Sequence, residues 1–247
     1  MFPYGCSKDF KKNELKPWLK KEWKIPRGSK EEFVWRMEAI LDIYKRVYNP
    51  LNPVVCFDES SKQQIQDLVD ALPPRPGDVA KFDSEYQRNG VSNLFMIFEP
   101  LQGKRHVKVT DRRTKIDWAE CMKFIVDEMY PDALKVTVVM DNLNTHSPAS
   151  LYVRFDPATA KRIADKLDIQ HTPKHGSWLN MAEIEFSALS RQCLNRRIAS
   201  QEKLVQEVAT WEATRNASTV RCAWQFNTAD ARIKLRKLYP TVNQKLL

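Results

Sequence analysis

The chain has 247 residues, a formal net charge of +9 and a hydrophobic fraction of 43%, values typical of a globular protein large enough to bury a core. No apolar run approaches the roughly 20 residues that a membrane-spanning helix requires, and the first residues lack the apolar region of an export signal. Five cysteines without C-x-x-C spacing argue against a disulfide framework and a zinc cluster. We therefore expect a cytoplasmic protein.

The charge is distributed unevenly along the chain. Residues 1–30 contain nine basic and three acidic residues, residues 191–247 contain eleven and four, and residues 31–190 carry a net charge of −4. Basic flanks around an acidic centre suit a protein that grips a polyanion and holds cations at a carboxylate cluster. Solvated surface lysines are the plain alternative.

Residues 1–28 interleave lysines with Trp18 and Trp23, a composition that can follow a phosphate backbone and stack on bases. We interpret this segment as a basic linker, or the remnant of an N-terminal DNA-binding region. The main domain, residues 29–247, then opens with a helix: a capping box begins at Ser29, and apolar residues recur at helical spacing until Asn49 and Pro50.

A short apolar run, Val54 to Phe57, is followed directly by Asp58 and Glu59. The run predicts a buried strand, and alternation along a strand sends the two carboxylates to opposite faces. We choose Asp58 as the site residue because it comes first after the buried run.

The next segments predict a hairpin and a helix. Residues 93–99 and 105–110 form the two arms of the hairpin, and a helix runs from Lys115 to Tyr130. The apolar side of that helix consists of Trp118, Cys121, Met122, Ile125 and Met129.

Residues 136–140 are the strongest strand signal, because five consecutive apolar or β-branched residues indicate burial on both faces. The strand ends at Asp141, and open α/β sheets place their chemistry at such carboxyl ends. Asp141-Asn142 is also ordinary turn chemistry, so this residue alone is not decisive.

Helices are predicted at about 156–167, 181–196 and 200–211, with a short basic helix near the C-terminus. Glu183 lies near the start of the helix that opens at Met181, whereas Glu185 points away from Glu183 by helical spacing. Three carboxylates, Asp58, Asp141 and Glu183, can therefore converge at one edge of a sheet. Such hard oxygen ligands suit Mg²⁺ or Mn²⁺, and two ions about 4 Å apart promote in-line phosphoryl displacement.

Other kinds of site are poorly supported. The chain has only six glycines, and their spacing matches neither a phosphate-binding loop nor a dinucleotide-binding fingerprint. His171 and His175, together with His146, hint at zinc, but Pro173 argues against a helix presenting the first two on one face. No G-x-S-x-G elbow supports a serine nucleophile.

Three segments together resemble the acidic motifs of bacterial insertion-sequence transposases related to the mariner superfamily. They are Val54 to Glu59, Val139 to His146 and His175 to Glu183, and the similarity extends from about Lys11 to the end, including Ala223 to Arg232. The combination is more specific than any single motif.

The resemblance implies an α/β, ribonuclease H-like fold, with a mixed central sheet flanked by helices on both faces. It maps the catalytic and metal-binding triad onto Asp58, Asp141 and Glu183. It implies metal-dependent cleavage at element ends and strand transfer into target DNA, with Mg²⁺ or Mn²⁺ as cofactor, in a nucleoid-associated homodimer.

The chain departs from this pattern in two ways. Transposases of this kind usually recognise their terminal inverted repeats with an N-terminal helix-turn-helix, for which residues 1–28 leave no room. We therefore expect the catalytic portion of a transposase whose DNA-recognition domain is missing or separately encoded. The 41 residues between Asp141 and Glu183 suggest an inserted or lengthened helix within 147–169. A catalytically inactive nucleic-acid-binding remnant and a general ribonuclease or resolvase remain alternatives.

Four residues in loops beside the motifs are candidates for contacts with DNA phosphates. Each of them alone is better explained as a solvated surface charge than as a specific contact, whereas the group as a whole fits binding to a phosphate backbone. They are Arg112, Arg113, Lys174 and His175. We interpret Trp178, in the same loop as Lys174, as capping the core rather than stacking on a base.

Overall fold

The computed structural model describes residues 30–69, 72–81, 83–143 and 146–240. The expected basic linker lies outside this part of the chain, and so does Ser29, the predicted capping residue of the first helix. The strands are β1 (Val54–Asp67), β2 (Tyr86–Glu99), β3 (Lys104–Thr110), β4 (Val136–Met140) and β5 (Leu167–His171).

These strands form one sheet in the order β3-β2-β1-β4-β5. β1 is antiparallel to β2 and β2 to β3, whereas β1 is parallel to β4 and β4 to β5. The predicted mixed sheet is confirmed, and the hairpin is too: β2 and β3 pair from Asn93 with Thr110 to Glu99 with Lys104.

Helices cover both faces of the sheet, as predicted. They are α1 (Lys30–Tyr44), α2 (Lys115–Phe124), α3 (Leu151–Arg154), α4 (Pro157–Lys166), α5 (Met181–Leu189), α6 (Gln201–Ala217) and α7 (Thr228–Lys234). One face carries α1, α5, α6 and α7, and the other carries α2, α3 and α4. Within the described ranges, no helix combines the length and the apolar content needed to cross a bilayer.

β4 lies in the middle of the parallel half of the sheet, and all five of its residues are buried. Val139 packs into the core on one face, while Val138 and Met140 pack into the core on the other. Each fully buried aliphatic side chain contributes about 1.5–3 kcal/mol relative to exposure. This two-sided burial is the physical reason for the uninterrupted apolar run.

β1 and β2 are longer than the sequence predicts. Both continue as a paired two-stranded arm as far as Asp67 and Tyr86. Most side chains of the arm are exposed. The arm therefore lacks the alternation of apolar and polar residues that would predict a strand from the sequence. The register shifts after Gln64, opposite Gly90, whose φ of +119° favours glycine.

Two helix predictions need correction. α1 ends at Tyr44 rather than near Tyr48, and Val47 is 90% exposed. Asn49 accepts a hydrogen bond from the backbone N–H of Leu51 at 2.9 Å, and the proline after Asn49 disfavours helix. In the segment 147–169 the alternative of one lengthened helix is wrong, whereas that of an inserted helix is not contradicted, because the short helices α3 and α4 precede β5.

Helix α6 runs along the free edge of β3 and satisfies its backbone. The N–H of Arg105 donates to Asn216 Oδ1 at 3.0 Å, and the N–H of Val107 donates to Glu212 Oε2 at 2.8 Å. Asn216 Nδ2 also donates to the carbonyl of Arg105 at 2.8 Å. The helix therefore supplies the partners that a further strand would otherwise provide.

A buried ion group fastens α5 to β3 and α6. Arg105 Nε lies 2.7 Å from Glu185 Oε1, and these two side chains are 0% and 3% exposed. Arg215 Nη2 donates to both carboxylate oxygens of Glu185, at 2.9 and 2.8 Å. Glu185 thus faces inward while Glu183 is exposed, as the helical spacing predicts.

Removing the carboxylate from this group should destabilise the fold strongly. We expect Glu185→Ala to lower the free energy of unfolding by about 3–5 kcal/mol, because it leaves a buried guanidinium without its counter-charge. Urea denaturation measures the change. As a control, Asp165→Ala removes a pair with Lys161 whose side chains are 60% and 64% exposed, and should change stability by less than about 0.5 kcal/mol. Equal effects of the two substitutions would contradict this account.

Candidate active site

Asp58 and Asp141 are brought together by the parallel pairing of β1 with β4. Cys56 is paired with Val139, and continuing this register by two residues sets Asp58 opposite Asp141. Neighbouring strands lie about 4.8 Å apart. By alternation both carboxylates share the face of Cys56 and Val139, at the edge where β4 ends.

Glu183 is brought to the same edge by the start of α5. Asn180 caps that helix by accepting from the N–H of Ala182 at 3.1 Å. Its side-chain Nδ2 donates to the carbonyl of Phe57 at 2.8 Å, one residue before Asp58. This single side chain therefore ties the first turn of α5, and with it Glu183, to the end of the buried part of β1.

The three predicted carboxylates act on one another electrostatically. Burial is the main cause that raises the pKa of Asp58 to about 7. The N–H of Glu59 donates to Asp58 Oδ1 at 2.8 Å, and this hydrogen bond by itself lowers the pKa of Asp58. The negative charges of Asp141 and Glu183 raise the pKa of Asp58 further. A cation at this edge would relieve that repulsion.

The donor set fits a hard divalent cation, since it consists of carboxylate oxygens. In the described part of the chain, no three His, Cys, Asp or Glu side chains are already gathered at metal-ligand spacing. Asp58 is half-buried, the Asp141 side chain is 33% exposed, and Glu183 is exposed. The arrangement pairs a fixed Asp58 with a Glu183 whose side chain has room to adjust.

His146 and Glu59 form a feature that the sequence did not reveal. His146 Nε2 lies 2.8 Å from Glu59 Oε2, and its Nδ1 lies 2.7 Å from Asp141 Oδ1 and 3.3 Å from the carbonyl of Asp141. Burial alone would lower the pKa of His146, but the hydrogen bonds to Asp141 and Glu59 raise it to about 9. The spacing from Asp141 to His146 was visible in the sequence, whereas the contact across 87 positions to Glu59 carries no local signal.

The other two histidines of the zinc alternative have separate surroundings. His171 Nδ1 lies 3.1 Å from the carbonyl of Asp141, and burial lowers the pKa of His171. His175 is exposed in a turn, with a φ of +65°. Each histidine thus has a distinct environment.

The four candidate phosphate contacts are exposed and flank this edge of the sheet. Arg112 and Arg113 follow β3, and Arg113 Nη1 lies 3.8 Å from Glu59 Oε1. Lys174 and His175 follow β5, which ends where His171 pairs with Met140. All four residues are exposed to solvent, and Arg113 also lies within ion-pair distance of Glu59.

Trp178 does not cap the core. It is 41% exposed, with its ring packed edge-on against Phe226 at a centroid distance of 6.1 Å, and the next residue, Leu179, is the fully buried one. The interpretation from sequence is wrong because the turn before α5 rotates Leu179 inward and Trp178 outward.

Residues 53–205 match the family described as DDE superfamily endonuclease. The chain belongs to this family. The matched segment contains Asp58, Asp141 and Glu183 and covers more than half of the chain. The comparison with curated proteins returned no match.

Solved structures show which fold this DDE superfamily endonuclease has. The Mos1 mariner paired-end complex with Mn is similar with a TM-score of 0.53 and 13% identity, over 85% of this chain and 68% of that chain. The Mos1 strand transfer complex is similar with a TM-score of 0.52 and 14% identity, over the same shares. The ribonuclease H-like fold is therefore confirmed.

The raised pKa of Asp58 predicts a pH dependence of the metal-free endonuclease. The folded state holds the Asp58 proton more tightly than the unfolded state, whose pKa is near 3.8. The Asp58 contribution to stability therefore falls as pH rises from about 4 to about 7. We expect Asp58→Asn to flatten the curve of unfolding free energy against pH, measured in chelator. Asp165→Asn, an exposed carboxylate, should keep the wild-type curve, and an unchanged curve for Asp58→Asn would refute the assignment.

Proposed function

We propose that this DDE superfamily endonuclease is a DNA transposase that cuts phosphodiester bonds at the ends of its element and joins the freed 3′-hydroxyl to target DNA. The observation that carries the proposal is the convergence of Asp58, Asp141 and Glu183 on one sheet edge, through the β1–β4 register and the Asn180 bond to Phe57. The similar Mos1 structures are a paired-end complex and a strand transfer complex.

We assign the binding of two divalent ions, either Mg²⁺ or Mn²⁺, to Asp58, Asp141 and Glu183. When bound, such ions supply the positive charge that activates an attacking oxygen and stabilises the leaving one. The protein's part is positioning: Asp58 is held by the N–H of Glu59 and by partial burial. Glu183 stands exposed on the first turn of α5, where the positive end of the helix dipole favours a carboxylate.

DNA is the proposed partner on this edge. Arg112, Arg113, Lys174 and His175 are assigned to its phosphates, because they are exposed and follow β3 and β5, which run in the same direction as β1 and β4. We assign recognition of the terminal inverted repeats to a helix-turn-helix partner. We further propose that the protein acts as a homodimer, which brings the two element ends together. The substrate is DNA of the nucleoid in the cytoplasm.

Neutralising any one acid should abolish cleavage. We expect Asp58→Asn, Asp141→Asn and Glu183→Gln each to reduce Mn²⁺-dependent nicking of an element-end duplex by about 10²–10³-fold or more, the loss typical of removing a main electrostatic group. Denaturing gels measure the nicked strand, and circular dichroism checks that each variant is folded. Asp165→Asn is the matched control and should retain wild-type activity.

The alternatives give different results in the same assay. Salt-dependent binding of DNA without metal-dependent cleavage would favour a non-catalytic remnant. Equal cleavage of duplexes that lack inverted repeats would favour a general nuclease on the same fold. Unchanged cleavage by all three acid variants would show that the acids are wrongly assigned.

The basic residues should affect binding through salt dependence. Each phosphate contact contributes a slope of about −0.9 in the dependence of log affinity on log salt concentration. We expect the triple variant Arg112→Ala, Arg113→Ala, Lys174→Ala to make the slope shallower by about 2–3 units, measured by fluorescence anisotropy. Lys161→Ala removes an exposed lysine on α4 and should leave the slope unchanged. A wild-type slope for the triple variant would remove these residues from the interface.

A further inference from the structure

His146 and Glu59 lie outside the proposed set of acids but contact it directly. The His146 side chain is 0% exposed and the Glu59 side chain is 6% exposed. The ring packs edge-on against Phe57 at 5.5 Å and stacked on Trp118 at 6.2 Å between centroids. A histidine and a carboxylate are thus held in an apolar environment at the end of the sheet.

The imidazole joins the two faces of the sheet. Asp58 and Asp141 share one face, while Glu59 faces the other, where Phe57 and Trp118 pack into the core that α2, α3 and α4 cover. The two nitrogens of the His146 ring reach Glu59 Oε2 at 2.8 Å and Asp141 Oδ1 at 2.7 Å. Glu59 therefore acts on Asp141 through one rigid ring.

Core packing alone does not account for this arrangement. Burying a carboxylate and an imidazole costs desolvation free energy, and apolar residues of the same volume generally stabilise a core at least as well. Arg113 is a weak partner for Glu59, because it is 3.8 Å away and its side chain is 58% exposed. What remains specific to this pair is that the His146 ring contacts Glu59 Oε2 through one nitrogen and both the carbonyl and the carboxylate of Asp141 through the other.

We infer that Glu59 and His146 form a positioning unit that fixes the Asp141 carboxylate for its cation, an inference that rests on the proposed function. Asp141 follows the last residue of β4, so the sheet no longer fixes its backbone by pairing. Its carbonyl and its carboxylate are both approached by His146. Groups that hold a ligating side chain in this way typically contribute 10–100-fold to metal affinity or activity.

The test measures Mn²⁺ binding by titration calorimetry of the intact chain, without DNA. We expect Glu59→Ala and His146→Ala each to weaken Mn²⁺ binding by about 10–100-fold. Glu59→Gln, which keeps the shape and one acceptor, should fall between Glu59→Ala and the wild type, and it guards against an alanine variant that fails to fold. His106→Gln is the matched control and should keep the wild-type affinity, because His106 Nδ1 lies 3.1 Å from Glu212 Oε1 in a histidine–carboxylate pair between β3 and α6.

A double-mutant cycle separates positioning from general stability. In an Asp141→Asn background, Glu59→Ala should cause no further loss of Mn²⁺ affinity, because its effect acts through the Asp141 carboxylate. Loss of affinity by the same factor in both backgrounds would overturn the inference, as would wild-type affinity in folded Glu59→Ala and His146→Ala. Absence of Mn²⁺ binding in the wild type would overturn the proposed function as well, so the two failures are distinguishable.

Discussion

The register between β1 and β4 is the constraint on which the rest of the structure depends. This register sets Asp58 at a partly buried edge beside Asp141, and the pKa of Asp58 is raised first by burial and then by the charge of Asp141. The fold tolerates it because β4 is buried along its whole length, and sliding it along β1 would draw Lys135 or Asp141 into the core. Stability in the middle of the sheet thus maintains an unfavourable arrangement at its end.

Helix α5 both contributes to the stability of the fold and carries one of the three carboxylates. Its inward face is anchored by Glu185 to two arginines, and its first turn is anchored by Asn180 to β1. Glu183 lies between these anchors and faces solvent. A carboxylate can therefore be exposed to solvent without loosening the helix that carries it.

The sequence predicted those parts of the molecule where burial follows a regular period. β4, the apolar side of α2 and the opposite directions of Glu183 and Glu185 all follow from spacing. The outer half of β1 could not be predicted, because its stability comes from pairing with β2 and its side chains are polar on both faces. The contact between Glu59 and His146 was equally hidden, since it depends on where a loop folds back.

The edge of β3 has a further consequence. An uncovered strand edge presents unpaired N–H and C=O groups that can recruit strands from other molecules. Here Glu212 and Asn216 occupy those groups at Arg105 and Val107. Side chains of one helix thus satisfy this edge of the sheet at these positions, which disfavours edge-to-edge pairing with a strand of another molecule.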